Sequence, residues 1–162
     1  MTYKMIVLDL DDTLLRDDHT ISPRTKEALM TAQEQGVKVV LASGRPTFGM
    51  RNVAKELRLE EYGSFILSFN GAKIINCKTN EEIFSSTLSP EIVHNLFEIS
   101  KTEDVWIHTY MGDDIVTEEN NPYTEIEGDI TGMPIVVVDD FKAAVKEPVV
   151  KVLMNKEAER LV

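Results

Sequence analysis

Three short apolar runs, at residues 3–10, 37–43 and 64–69, alternate with stretches of helical pattern, and this alternation restricts the fold more than any other feature of the chain. The runs read YKMIVLDL, VKVVLAS and SFILSF, which suits strands buried on both faces of a sheet. Between the first two, ISPRTKEALMTAQEQG carries helix punctuation. Ser22 is placed to cap the start, Pro23 occupies the first helical position, and Gly36 follows the last turn. A second helix is expected from about Pro46 to Leu59. Strand, helix, strand, helix, strand at this spacing implies two right-handed crossovers and a parallel sheet, the opening of a doubly wound α/β domain.

Ligands of such sheets collect beyond the carboxyl ends of the strands. The polar residues Asp9–Thr13, Ser43–Arg45 and Asn70–Gly71 fall at those three ends, on one rim. Beyond Gly71 the pattern changes. AKIINCK and EEIFSST read as a hairpin about Thr79-Asn80, and residues 88–101 form an amphipathic helix that begins at Ser89 and Pro90. DVWIHTYM and DIVTE read as antiparallel strands about Gly112-Asp113. PIVVVD and PVVKVLM add two strands, with a short helix near Phe141–Val145 between them. The division expected is residues 1–87 as the larger α/β part and 88–162 as a smaller α+β domain. The final KEAERLV reads as the opening of a further helix, and three strands are few for a doubly wound sheet. The first domain is therefore expected to be incomplete on its C-terminal side.

Asp9, Asp11 and Asp12 crowd three carboxylates onto the end of the first strand, and like charges this close disfavour one another unless a cation or donors compensate. Positions i and i+2 of an extended segment share a side, so Asp9 and Asp11 are expected to face one centre while Asp12 points elsewhere. Mg²⁺ prefers oxygen ligands and commonly bridges one or two carboxylates to a substrate phosphate. Beside such an ion, one carboxylate can attack phosphorus while its partner handles the proton. A formal net charge of −11 argues against nucleic acid or an anionic membrane surface as the main partner. It leaves room for an anionic small molecule where a metal supplies positive charge.

With 43% hydrophobic and 28% charged residues the chain reads as soluble and globular. Cys77 is the one cysteine, so no intramolecular disulfide can form and a reducing compartment is the natural home. Neither a secretory leader nor a membrane span is visible, which makes the cytoplasm the expected location. The oligomeric state is not legible.

DLDDTLL resembles the first motif of the haloacid dehalogenase superfamily, D-x-D-x-[TV]-[LV], on Asp9, Asp11, Thr13 and Leu14. LASGRP, closing the second strand, is similar to that superfamily's second motif. SFNGA, with the long insertion after it, resembles the Cof-type hydrolases that carry an α/β cap. The resemblance implies a Rossmann-like core with a cap over residues 88–162. It also implies a Mg²⁺-dependent phosphatase for small phosphorylated metabolites such as sugar phosphates, working through an aspartyl-phosphate. Asp9 would be nucleophile and metal ligand. Asp11 would be general acid and then base, reaching the metal through its backbone carbonyl. Ser43 and the N–H of Gly44 would hold the phosphoryl group, Asn70 and Gly71 would line the pocket, and Arg45 is a candidate substrate contact whose role the family does not fix. Asp12 stands where related phosphatases often carry Gly.

The superfamily also uses a downstream Lys and a later acidic motif. MGDDIV and VVVDDF put paired aspartates after a strand, but Lys142, Lys146 and Lys151 follow the later pair, and Lys101 lies near the end of a helix. A turn and a solvated strand end explain the two pairs better. These 162 residues are thus expected to fold at least partly and to turn over little substrate. Three alternatives stand beside the phosphatase. They are a sugar-phosphate mutase of the same superfamily, a non-catalytic phosphate-binding module, and a receiver-like signalling domain. The last needs a carboxylate after the third strand, where the chain has Phe69-Asn70.

Overall fold

The structure, a computed structural model, describes residues 3–157. The helical opening expected in KEAERLV falls largely outside them. The described chain divides into two compact units that meet at Ser85/Ser86.

The first unit is built on a five-stranded sheet of order β1-β2-β3-β4-β5. Strands β1 (Met5–Leu8), β2 (Lys38–Ala42) and β3 (Phe65–Ser68) run parallel, with Leu8 in register with Leu41 and Ala42 with Leu67. Helix α1 (Pro23–Glu34) makes the first crossover, with the Ser22 hydroxyl accepting from Thr25 N–H, a cap worth ~1 kcal/mol. The second crossover is broken where one helix was expected. Helix α2 (Thr47–Glu56) ends, Arg58 turns left-handed at φ 54°, and α3 (Leu59–Tyr62) follows. The reason is packing, since Leu57 and Leu59 on either side of the break are both fully buried. A continuous helix would place residues two apart roughly 200° from each other around its axis.

Both crossovers feed one core. Leu29 of α1 and Met50, Val53 and Ala54 of α2 cluster with Val39, Leu41 and Ile66 of the sheet. Residues of β1 on the opposite face lack such cover. Met5 and Val7 remain 50% and 55% exposed, so β1 is not buried on both faces as its composition suggests. Among the described residues it has one strand neighbour, β2.

The hairpin of β4 (Lys73–Asn76) and β5 (Glu81–Ser85) extends this same sheet, β4 pairing antiparallel to β3.

The second unit carries a four-stranded sheet of order β8-β7-β6-β9, formed by β6 (Trp106–Met111), β7 (Asp114–Thr117), β8 (Ile135–Val137) and β9 (Val152–Asn155). Helix α4 (Pro90–Thr102) packs Val93 and Phe97 with Ile107 and with Phe141 of α6 (Phe141–Ala144), and the Phe97 and Phe141 rings stack at 5.1 Å. Helix α5 (Pro122–Thr131) has no counterpart in the sequence reading. Its span PYTEIEGDIT holds a glycine and several β-branched residues, a poor helical pattern. Asn121 nucleates it by accepting from Tyr123 and Thr124 N–H at 3.0 and 3.1 Å.

Candidate active site

Asp9 leaves the sheet directly after Leu8. The chain then closes one wide turn over Leu10–Leu14, with Leu14 N–H donating to the Asp9 carbonyl at 3.2 Å and Leu15 N–H to that of Leu10 at 2.8 Å. Leu10 and Leu14 are buried in the core, whereas Asp11, Asp12 and Thr13 are exposed. The apolar anchors draw the turn down and leave its carboxylates outside. The segment is therefore a turn rather than a continued strand. Asp9 and Asp11 keep extended backbones (φ −75°, ψ 159° and φ −70°, ψ 133°), and Asp12 turns left-handed at φ 56°.

The loops after β2 and β3 brace each other. Ser43 N–H donates to the Leu67 carbonyl at 3.0 Å, Asn70 N–H to the Ser43 carbonyl at 3.1 Å, and Phe69 N–H to the Arg45 carbonyl at 3.0 Å. The Ser43 hydroxyl, in a buried residue, accepts from Arg45 N–H at 3.1 Å, a role that keeps its own O–H as a donor. A Cβ on Gly44 would lie 2.7 Å from Asn70 Oδ1, so the Asn70 amide packs directly on the glycine backbone. Phe69, Asn70 and Gly71 are consecutively left-handed at φ 53°, 58° and 86°. Asn and Gly adopt that conformation readily, but a phenylalanine costs about 1–2 kcal/mol there. Burial of the Phe69 ring offsets the cost. The Thr47 and Ser68 hydroxyls, 2.6 Å apart, tie the start of α2 to the end of β3.

Arg45 then joins this pair of loops to the first. Its Nε donates to Asp11 Oδ2 at 2.9 Å and its Nη2 to Oδ1 at 2.5 Å, a two-point clamp on the carboxylate. The Arg45 side chain is 10% exposed and that of Asp11 48%. Residues 11 and 45 lie far apart in sequence, and nothing in either motif announces their pairing.

The residues expected at the site thus stand as follows. Asp11, Ser43, Gly44, Arg45 and Asn70 are linked by direct contacts. Asp9 ends the adjacent strand and closes the turn with its carbonyl. Gly71 supplies backbone conformation. The sequence reading missed Thr47 and Ser68, and also the left-handed Phe69, for which no local signal exists.

The donors present suit a hard cation, because the exposed carboxylates of Asp9 and Asp11 offer oxygen and little else. Both oxygens of Asp11 face Arg45. Among the described residues no set of three or more His, Cys, Asp or Glu side chains is grouped to hold an ion. The two later aspartate pairs have structural work. Gly112-Asp113 is the hairpin loop between β6 and β7, and Asp140 caps α6 by accepting from Ala143 N–H at 2.8 Å. Lys101 pairs with Glu118 at 3.0 Å and Lys142 with Glu98, both inside the second unit.

The chain is similar to known proteins. Residues 6–162 match the family model of the haloacid dehalogenase-like hydrolases. YxeH of Bacillus subtilis (strain 168) is 32% identical over 135 residues, covering 82% of this chain and 50% of that protein. The crystal structure of a haloacid dehalogenase-like hydrolase from Bacteroides thetaiotaomicron is 44% identical with a TM-score of 0.91, over 99% of this chain and 60% of that one. The subclass IIB sugar phosphatase BT4131 is 25% identical with a TM-score of 0.76, over 97% of this chain and 60% of that one. The chain spans between half and three-fifths of the length of these relatives. With neighbouring parallel strands, the first leading into the D-x-D turn and the second into Ser43-Gly44, this chain belongs to the haloacid dehalogenase-like hydrolases.

Proposed function

We propose that this chain carries the nucleophile-bearing part of a Mg²⁺-dependent phosphatase for small phosphorylated metabolites, sugar phosphates among them. In this reading the unit up to Ser85 is the catalytic core, the unit from Ser86 is a cap, and the cytoplasm is the compartment. The observation that carries it is the meeting of the D-x-D turn with the Ser43-Gly44 loop at the carboxyl ends of neighbouring strands. The sugar-phosphatase activity named for BT4131 supports the substrate class.

Each residue then has a task. Asp9 attacks phosphorus through a carboxylate oxygen and becomes the aspartyl-phosphate, and Asp11 gives a proton to the departing alcohol. Asp11 next takes a proton from the water that releases phosphate. The Ser43 O–H and Gly44 N–H donate to the phosphoryl oxygens as charge moves onto them, and Asn70 keeps that loop in place. Asp9 and the Asp11 carbonyl would hold Mg²⁺, which would supply Lewis-acid charge stabilisation.

The test is Mg²⁺-dependent phosphate release from a panel of sugar phosphates by the longest natural form of the chain. Asp9→Asn is expected to abolish it, since an amide is a poor nucleophile and a weaker ligand. Turnover that survives in Asp9→Asn overturns the reading.

A further inference from the structure

We propose that Arg45 is the positioning residue for Asp11 in the second half-reaction, holding its carboxylate as the base that activates the hydrolytic water. The proposal rests on the phosphatase reading above and deepens it. Three features of the geometry carry it.

Arg45 is fixed at both ends. Its N–H donates to Ser43 Oγ, its carbonyl accepts from Phe69 N–H, and its side chain is mostly buried, so it has little freedom. The clamp uses both carboxylate oxygens, which limits the rotation of the Asp11 carboxylate as well as fixing its place. A carboxylate offers about four acceptor positions, so two remain after the clamp. The partners also differ in exposure, with Arg45 anchored inward and Asp11 half open to water. A buried donor holding an exposed acceptor suits a group that must receive a proton from solvent water.

The step balances. The water oxygen bonds to phosphorus while one water proton passes to a free lone pair of Asp11. The bond from phosphorus to the Asp9 oxygen breaks, its electrons return to the Asp9 carboxylate, and inorganic phosphate leaves. Arg45 touches neither phosphorus nor water in this account. It acts by keeping Asp11 at the right place and angle, where a displacement of about 1 Å is enough to cost roughly a hundredfold.

Two measurements test this. In the 162-residue chain, the Arg45 Nε–H is followed by ¹⁵N NMR. A slowly exchanging, shifted signal that reverts to the free-arginine position in Asp11→Asn is expected, and a signal indifferent to that change overturns the clamp. In the longest natural form, p-nitrophenyl phosphate is mixed rapidly with enzyme, a substrate whose leaving group needs little protonation. Arg45→Ala is expected to release a burst of nitrophenol close to one per site, followed by a steady state slowed by about 10²-fold, in the range of general-base contributions. Arg45→Lys should restore only part of the rate, because an ammonium cannot reproduce the two-point fork. A burst that shrinks in step with the rate means lost active enzyme, and a raised KM at unchanged kcat means a substrate contact. Either overturns the proposal. Absence of Asp9-dependent turnover in the wild type brings down the phosphatase reading and this proposal with it, whatever the NMR signal shows.

Discussion

At the scale of single residues, Asp12 shows how backbone conformation and chemistry separate. Its left-handed φ of 56° is a conformation that glycine adopts without strain. Asp12→Gly should leave melting temperature and turnover nearly unchanged. Asp12→Val should lose about 1–2 kcal/mol, because a β-branched side chain fits poorly where φ is positive. Thermal denaturation of the two variants side by side checks this, and equal losses would place the strain elsewhere. Cys77 offers a second residue-level test. Burial pushes its thiol from 9.0 up to about 11, which cuts the thiolate fraction near pH 8 by about a hundredfold. Disulfide-exchange reagents should therefore label the native protein slowly and the unfolded chain at the ordinary rate. Rapid native labelling would contradict the burial.

At the scale of elements, β6 carries the sharpest consequence. His108 is 1% exposed, and neither of its ring nitrogens has a hydrogen-bond partner among the described residues. Burial holds the imidazole below its usual 6.5, with Lys151 adding to the shift and Glu127 opposing it. The unfolded chain then takes a proton at a pH where the folded one does not, so stability rises with pH through this window. It is complete above about 6.5 and drains as the pH falls toward the lowered value, by at most ~1.4 kcal/mol per pH unit. The unfolding midpoint reported by Trp106 should fall between pH 7 and pH 5, and His108→Phe should flatten that slope. Matching slopes would exclude His108 as the source. Burial and an acceptor, the Glu127 carboxylate 2.6 Å from its hydroxyl, push the Tyr110 phenol well above its ordinary pKa, so it stays neutral as a donor.

At the scale of the whole molecule, the two units have separate cores with no residue in common. Leu41 is fully buried in the first, and Trp106, the only tryptophan, lies in the second. Leu41→Ala should cost about 2–5 kcal/mol. With independent cores, far-UV circular dichroism should show an early transition for this variant while Trp106 fluorescence keeps its wild-type midpoint in urea. Coincident shifts in both signals would show that the units unfold as one.

The order of strands and crossovers, the rim that gathers Asp9, Ser43 and Asn70, and the caps at Ser22 and Ser89 were all legible in the sequence. They depend on local forces, namely apolar period, proline and glycine conformation, and side chains that satisfy the first free N–H groups of a helix. Those forces act over a few residues and leave their mark in the same few residues. The tertiary structure alone decided four other features. It broke the second crossover at Arg58, formed α5 from a weak helical pattern, set Phe69 left-handed, and closed the Arg45 clamp on Asp11. Three of them are a contact or a strain whose stabilisation lies across a gap in sequence. Helix α5, opened by its local Asn121 cap, is held from a distant strand by Tyr110 donating to Glu127. Phe69 is buried, and the guanidinium of Arg45 meets its carboxylate only once two parallel strands have brought their ends side by side.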